Sequence, residues 1–560
     1  MSYHARRLAP SREPLSWSRL AALVEALRPH HLSVDVFDTC VVRDLLGDHA
    51  IERVADLRAG VRGTPGRRET AEKLEERLCR PVPEVVSSLQ RIRAAGTTVR
   101  FVSDTERSSA SLIAMLSGLG IFAEGDDLVS SDEWGATKAR GDLLPLVWSK
   151  ELAAGEVVWH IGDHLWSDVA MAEQAGIRAF HVAGAVPTRY ERIMAGDPTT
   201  AGPAVAAAAR RARLAIEAER SAVADARNRR IEVLGADIAG QVLGAFLLWL
   251  ADKVRTERLS HLVFLARDGE LPLLMARAMP DDHWDVPLTY AHCSRRSWAV
   301  AGDPTTEEGA ERRARIVDYL HGLNLRPGRI GVVDVGWSGG LASLISPLVA
   351  EVTGQPPLHL HFGGTQTTPE VEAKIDVARF AMDGGDLAHT LLSPVVCVET
   401  LTASGKARVT HYERQADNTV APVFARRTVA VDNPDRELLW DGALRVAKAF
   451  PSRAELAEFG CTDNTLQAET VEVLRQWWHH PTRKEADAMT GLGFESDDDG
   501  RLISPLLAPY SVRQLWSATP LARQWRHGSA VISPWPVSKL LRLLLDVELV
   551  RYRRRLIEQT

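Results

Sequence analysis

Asp35, Ser103, Lys138, Asp163 and Asp168 stand on or just past apolar, strand-like runs, or at the head of a helix. The Asp35 carboxylate can attack phosphorus and form an aspartyl-phosphate, which splits one hard step into two easier ones. Asp163 and Asp168, brought beside it, would repel it unless a cation intervened. Mg²⁺ suits that place, because it takes hard oxygen ligands and bridges to phosphate oxygens. Ser103 offers a hydroxyl to a phosphoryl oxygen at the start of the next helix. Lys138 supplies positive charge to the oxygens of a transferring phosphoryl group. Taken singly, Asp35 reads as a turn, Ser103 as a cap and Lys138 as a surface charge. In this order, after these strands, they read as a metal-assisted phosphoryl-transfer site.

The run His31-Leu-Ser-Val-Asp35-Val-Phe-Asp38-Thr39 has the β-branched and aromatic bias of a buried strand, with Asp35 at its carboxyl end. Further strands are expected at 98–103, 128–130, 157–161 and 178–182, with helical stretches between them. Such alternation predicts an α/β, doubly wound, Rossmann-like domain over 1–200. It closes at the Pro/Gly-rich break Gly196–Pro203. Residues 44–96 form a charged helical insert, expected to cap the crevice and exclude water.

The series Asp35-x-Phe37-Asp38-Thr39, Ser103, Lys138, Gly162-Asp163-x-x-x-Ser167-Asp168 resembles the four motifs of the haloacid dehalogenase-like superfamily. The resemblance covers roughly 32–182. It implies Asp35 as nucleophile, Thr39 supporting its loop, and Ser103 and Lys138 on the phosphoryl group. It also implies Mg²⁺ held by Asp35, Asp163, Asp168 and the Phe37 carbonyl, and a small cap of the C1 type. One position departs. Phosphatases of the superfamily place a proton-donating Asp two residues after the nucleophile, where this chain has Phe37. Asp38, one residue on in an extended segment, is expected to point the other way.

Beyond the break, 201–256 reads as a helical connector. Ala204–Arg230 is expected to present a solvated face, and Ile238–Ala251, between Asp237 and Asp252, to be a buried helix shorter than the ~20 apolar residues of a membrane span. A second α/β domain is expected over 257–431, with strands at 261–265, 288–291, 330–334 and 358–362, and a helical region over 432–560 with an acidic loop at 496–500. Three polar clusters follow three of those strands: Arg267 and Asp268; Ser294, Arg295 and Arg296; Asp334, Gly336, Ser338 and Gly339. A parallel sheet would bring them to one edge as a second, phosphate-binding site. Glu399 reads as structural. This half resembles the C-terminal part of large bacterial haloacid dehalogenase-like proteins found with surface-polysaccharide genes, which implies a sugar phosphate or nucleotide sugar as substrate.

At 560 residues the chain exceeds a single core. A net charge of −6 gives no case for nucleic-acid binding. Five scattered cysteines without a CxxC pair support neither a disulfide framework nor a zinc site, and fit a cytoplasmic setting. The first residues lack the apolar core of a signal peptide, and no membrane insertion is expected. The expectation is a Mg²⁺-dependent phosphatase or phosphotransferase acting on a small phosphorylated metabolite. The alternatives are a catalytically silent binding or scaffolding protein, chemistry centred in the second half, or a dehalogenase. Substrate, acceptor and homo-oligomeric state stay open.

Overall fold

The computed structural model describes residues 14–47, 50–60, 64, 66–220, 225–299, 306–337, 339–364, 375–381, 394–425, 433–461, 465–495, 503–511 and 524–557. Ser338 and the acidic stretch 496–500 therefore lie outside the described residues. The chain divides into two compact units, residues 1–188 with 217–219, and 189–216 with 220–560. The architecture is α/β with a parallel five-stranded sheet in each unit.

In the first unit β1 (His31–Val34) is central. A short antiparallel pair follows, β2 (Val41–Arg43) with β3 (Cys79–Pro81), then β4 (Thr98–Ser103), β5 (Asp127–Ser130), β6 (Val158–Gly162) and β7 (Arg178–His181). The sheet order is β5-β4-β1-β6-β7. Val34 stands level with Phe101 on one side and Ile161 on the other, all fully buried. The chain winds outward from β1 through β4 and β5, then returns to β6. The crossovers diverge at the carboxyl end of β1, where open α/β sheets leave their ligand crevice.

The insert differs from the expected 44–96. Helices Ala50–Ala59 and Arg67–Leu78 pack on each other above the β2–β3 pair, whereas Val85–Ala94 packs on Trp17–Leu27 beside the sheet. The buried stripe of that helix (Val85, Ser88, Leu89, Ile92) explains the difference, since it needs a core to cover it.

In the second unit β8 (Leu262–Leu265), β9 (Leu288–Ala291), β10 (Gly331–Trp337), β11 (Leu358–Gly364) and β12 (Asp376–Arg379) take the order β12-β11-β10-β8-β9, all parallel. β10 runs further than its apolar pattern suggests. It pairs with β8 only to Val333, but continues along β11 to Trp337. Asp334 and Gly336 are thus strand residues, and the glycine turn shrinks to Gly339 before helix Gly340–Thr353. Two hairpins, β13 (Val409–Arg414) with β14 (Val420–Phe424) and β15 (Gly493–Glu495) with β16 (Ile503–Pro505), lack a strong pattern of their own.

Two expectations between the sheets are corrected. Helix Gly202–Glu219 is buried rather than solvated over most of its length, and Arg213 is neutralised by buried Glu191 at 2.8 Å. Its alanines permit close packing that larger side chains would block. The apolar run belongs to a helix of 31 residues, Ala226–Thr256, long and apolar enough to cross a membrane, yet 94% of its most apolar window is buried in the protein. Phe246 and Trp249 from it stack with Phe362 and Phe380 of the sheet, as a core helix does. All five cysteines are buried.

β11 carries two buried histidines on one face, His359 and His361, with ring centroids 5.9 Å apart. Burial pushes His359 down to about 4 and His361 down to about 3. Such groups stay neutral while folded but take up a proton when unfolded, so their contribution is intact above about 6.5 and drains away as pH falls toward 4. Acid thermal melts should show the second unit's transition falling between pH 6.5 and 4. The fall should be smaller in His361→Leu; an unchanged slope would remove the histidines as its cause.

Candidate active site

Sequence and backbone place each side chain of the first site for a distinct reason. Asp35 follows the last residue of β1, with its N–H bonded to the Ile161 carbonyl at 2.9 Å, so the sheet still fixes its backbone. The chain then turns: Cys40 N–H returns to the Val36 carbonyl at 2.8 Å, and the Trp17 indole N–H donates to the Thr39 carbonyl at 3.1 Å. That turn aims the Thr39 hydroxyl at Asp35 Oδ2, 2.9 Å away, and toward Asp163 Oδ1 at 3.4 Å. Lys138 is anchored through its backbone, because Asp104 accepts from the N–H groups of Lys138 (2.8 Å) and Ala139 (3.1 Å).

Lys138 is the hub. Its ammonium donates to Asp35 Oδ1 and, at 2.6 Å, to Asp168 Oδ1, and its side chain is 2% exposed. Asp168 lies in the wide helical turn Leu165–Ala170. The backbone N–H of His164 donates to Asp168 Oδ2 at 3.0 Å, and His160 stands beneath Oδ1 at 3.4 Å, itself tied to Ser33 at 2.8 Å. Gly162 makes room for this. A Cβ there would lie 2.3 Å from the Asp168 carboxyl carbon, so only glycine fits under the acid.

The electrostatics divide the acids. Burial would raise Asp168, but Lys138 and His160 together hold it below the usual range. Burial pushes Asp35 upward against the pull of Lys138. Asp163, at the mouth, is pushed up to about 8 by burial and then by Asp35, Asp38 and Asp168. The charge of Asp38 is therefore felt at Asp163. The Asp38 backbone is left-handed (φ 55°), which breaks the extended alternation that would have turned it away. Phe37 sits in the same turn, bridged to Val41, with the Arg43 guanidinium 4.0 Å above its ring.

Sequence reasoning missed Asp104, His160, Ser33 and the electrostatic reach of Asp38. A strand-end acid was visible at Asp104, but nothing in its surroundings said that it would hold the Lys138 backbone.

A divalent cation fits these residues. Asp35, Asp163 and Asp168 each offer an oxygen within 4.8 Å of the others. Asp163 cannot ionise cheaply near neutral pH without compensation, and the three carboxylates offer the hard oxygen donors such a cation takes. Among the described residues the Ser103 hydroxyl, 1% exposed, has no hydrogen-bond partner, an orphaned donor at the end of β4.

Residues 22–176 match the family model of the haloacid dehalogenase-like hydrolases. The matched stretch lies within the first unit and holds all four motifs. No curated protein matches the chain.

The second-site residues also converge. Arg267, Asp268, Ser294, Arg295, Arg296, Asp334, Gly336 and Gly339 all line one cavity of about 670 Å³. Glu399, read as structural, lines it too. Gly336 has φ 99° with the Gly363 carbonyl 2.4 Å from where its Cβ would stand, so close strand approach alone requires it. Ser294 is spoken for, donating to the Val409 carbonyl at 2.7 Å.

Two measurements check the haloacid dehalogenase-like site. Lys138→Met leaves Asp35 and Asp168 buried without their cation, and should cost about 3–5 kcal/mol in denaturant unfolding of the first unit. For Asp163, stability is complete with the carboxyl protonated, below about 4, and is lost as pH rises through about 8. In EDTA the first unit's melting temperature should fall across that window. Added Mg²⁺ should restore it, more at pH 8 than at pH 5, with proton release detectable by calorimetry.

Proposed function

We propose that the first unit is a Mg²⁺-dependent phosphatase or phosphotransferase acting on a small phosphorylated metabolite through an aspartyl-phosphate on Asp35. One observation carries the reading: Asp35, Asp163 and Asp168 each offer an oxygen within 4.8 Å of the others, and the buried Lys138 ammonium bonds to Asp35 and Asp168. Asp35, Asp163 and Asp168 would hold the cation, with the Phe37 carbonyl as the superfamily resemblance implies. When bound, it would neutralise acidic repulsion and the charge on the phosphoryl oxygens.

In the first step a bond forms between an Asp35 carboxylate oxygen and phosphorus, as the bond from phosphorus to the leaving oxygen breaks. Ser103 donates to one phosphoryl oxygen, and Lys138 offsets negative charge on Asp35 and the transferring group. Thr39 keeps the Asp35 carboxylate oriented. In the second step water, or the hydroxyl of an acceptor, attacks phosphorus and loses its proton to the surrounding water. The bond to Asp35 breaks and the carboxylate is restored.

Phe37 has no proton to give to the leaving oxygen. The favoured substrates are therefore those whose leaving group departs as a weakly basic anion, and a poorer leaving group would lose ~10²–10⁴ in rate. The insert helix Arg67–Leu78 would select among them. Phosphate-ester assays with a graded series of leaving groups test the reading. Activity should need Mg²⁺, fall steeply with leaving-group basicity, and drop at least ~10³-fold in Asp35→Asn. Equal activity of wild type and Asp35→Asn would end it.

Phe37 also favours a second reading, a binding protein whose site is silent. Trapping with beryllofluoride separates the two, because a silent site shows no Mg²⁺-dependent binding.

A further inference from the structure

The second unit holds a cavity of about 670 Å³ where β8, β9 and β10 end, closed over by helix Pro394–Thr402 and the start of β13. Its wall carries five arginines, Arg267, Arg295, Arg296, Arg408 and Arg436. Three carboxylates face them, Asp268, Asp334 and Glu399. Five positive against three negative groups leave a net +2 when all are ionised, in a chain whose overall charge is −6. The excess is local, so it needs a local cause.

Two of these groups are not closed on one another by packing. Arg295 is exposed and forms neither an ion pair nor a hydrogen bond with the described residues, although it stands within electrostatic reach of Asp334 and Glu399. The Glu399 carboxylate likewise makes no hydrogen bond to them, though it is only half-buried and borders the cavity. A structural ion pair would have closed these two groups on each other. The volume lies in the range of cofactor-sized pockets and is far larger than a lone phosphate ion needs.

We propose that this cavity is a second ligand site, which binds a phosphorylated small molecule of nucleotide size. Arg295 and its neighbouring arginines hold the phosphates, and Glu399 with Asp334 faces the hydroxyl-bearing remainder. Guanidinium forks match phosphate oxygens bidentately. Burial pushes Asp334 up to about 7 and also raises Glu399, with Asp268 adding to both. A carboxyl that keeps its proton near neutrality can donate to a ligand hydroxyl and does not repel the phosphates. The proposal does not rest on the chemistry assigned to the first unit.

Isothermal titration of the full chain in EDTA, which withholds the cation that the first unit's acids would need, tests it. The probes are ADP, inorganic pyrophosphate and adenosine. ADP and pyrophosphate should bind saturably and adenosine should not. Arg295→Glu, at an exposed position, should weaken ADP about tenfold or more. Ala299→Trp, exposed on the same wall, should also weaken it by filling space, with melting curves unchanged in both variants. Asp35→Asn should leave this binding intact. Absence of saturable binding by either phosphate probe overturns the proposal, as does binding that both cavity variants leave untouched.

Discussion

One buried ammonium holds the first unit's site together. Lys138 lies between Asp35, just past β1, and Asp168, in the helical turn that follows β6, and all three are withdrawn from water. Taking such charges out of water costs several kcal/mol per ion, and mutual attraction offsets that only where geometry is tight. The tightness is built from below. Asp104 fixes the Lys138 backbone, Gly162 lets Asp168 settle against β6, and His160 with Ser33 supports it. A site so constrained is rigid before any substrate arrives, as phosphoryl transfer by positioning and electrostatics requires.

The strands of both sheets except β12 were legible because each is a short apolar run bounded by turn residues, and parallel strands bury both faces; β12, Asp-Val-Ala-Arg at the sheet edge, carries no such run. The order of acid, hydroxyl, lysine and acid pair was legible for a related reason: each residue follows such a run. Strand limits were less legible. β10 passes the end of its apolar stretch because β11 alone supports it, and no pattern in one strand reveals how far its neighbour extends. The hairpins β13–β14 and β15–β16 draw their stability from what they pack on.

Asp38 and Glu399 show what spacing cannot say. Asp38 was assigned to the far side on strand alternation, but one left-handed residue cancels alternation, and its charge is felt at Asp163. Glu399 sits in an apolar helical stretch that suggests packing, yet it borders a charged cavity whose other walls come from segments as distant in sequence as Arg267 and Asp268. Local pattern carries secondary structure. Encounters between distant side chains depend on the turn in between.

Glu75 belongs to the insert, yet it holds one arginine from each rim of the crevice. Arg43 of β2 meets Oε1 at 2.7 Å, and Arg107, beyond β4, meets Oε2 at 2.9 Å. Arg43 in turn covers the Phe37 ring. One carboxylate thus fastens both lips, and neither can loosen without unbalancing charge at the other. Lifting the insert means hydrating two guanidinium groups and their shared anion in a single event, so the doorway behaves as a latch rather than a hinge that yields by degrees.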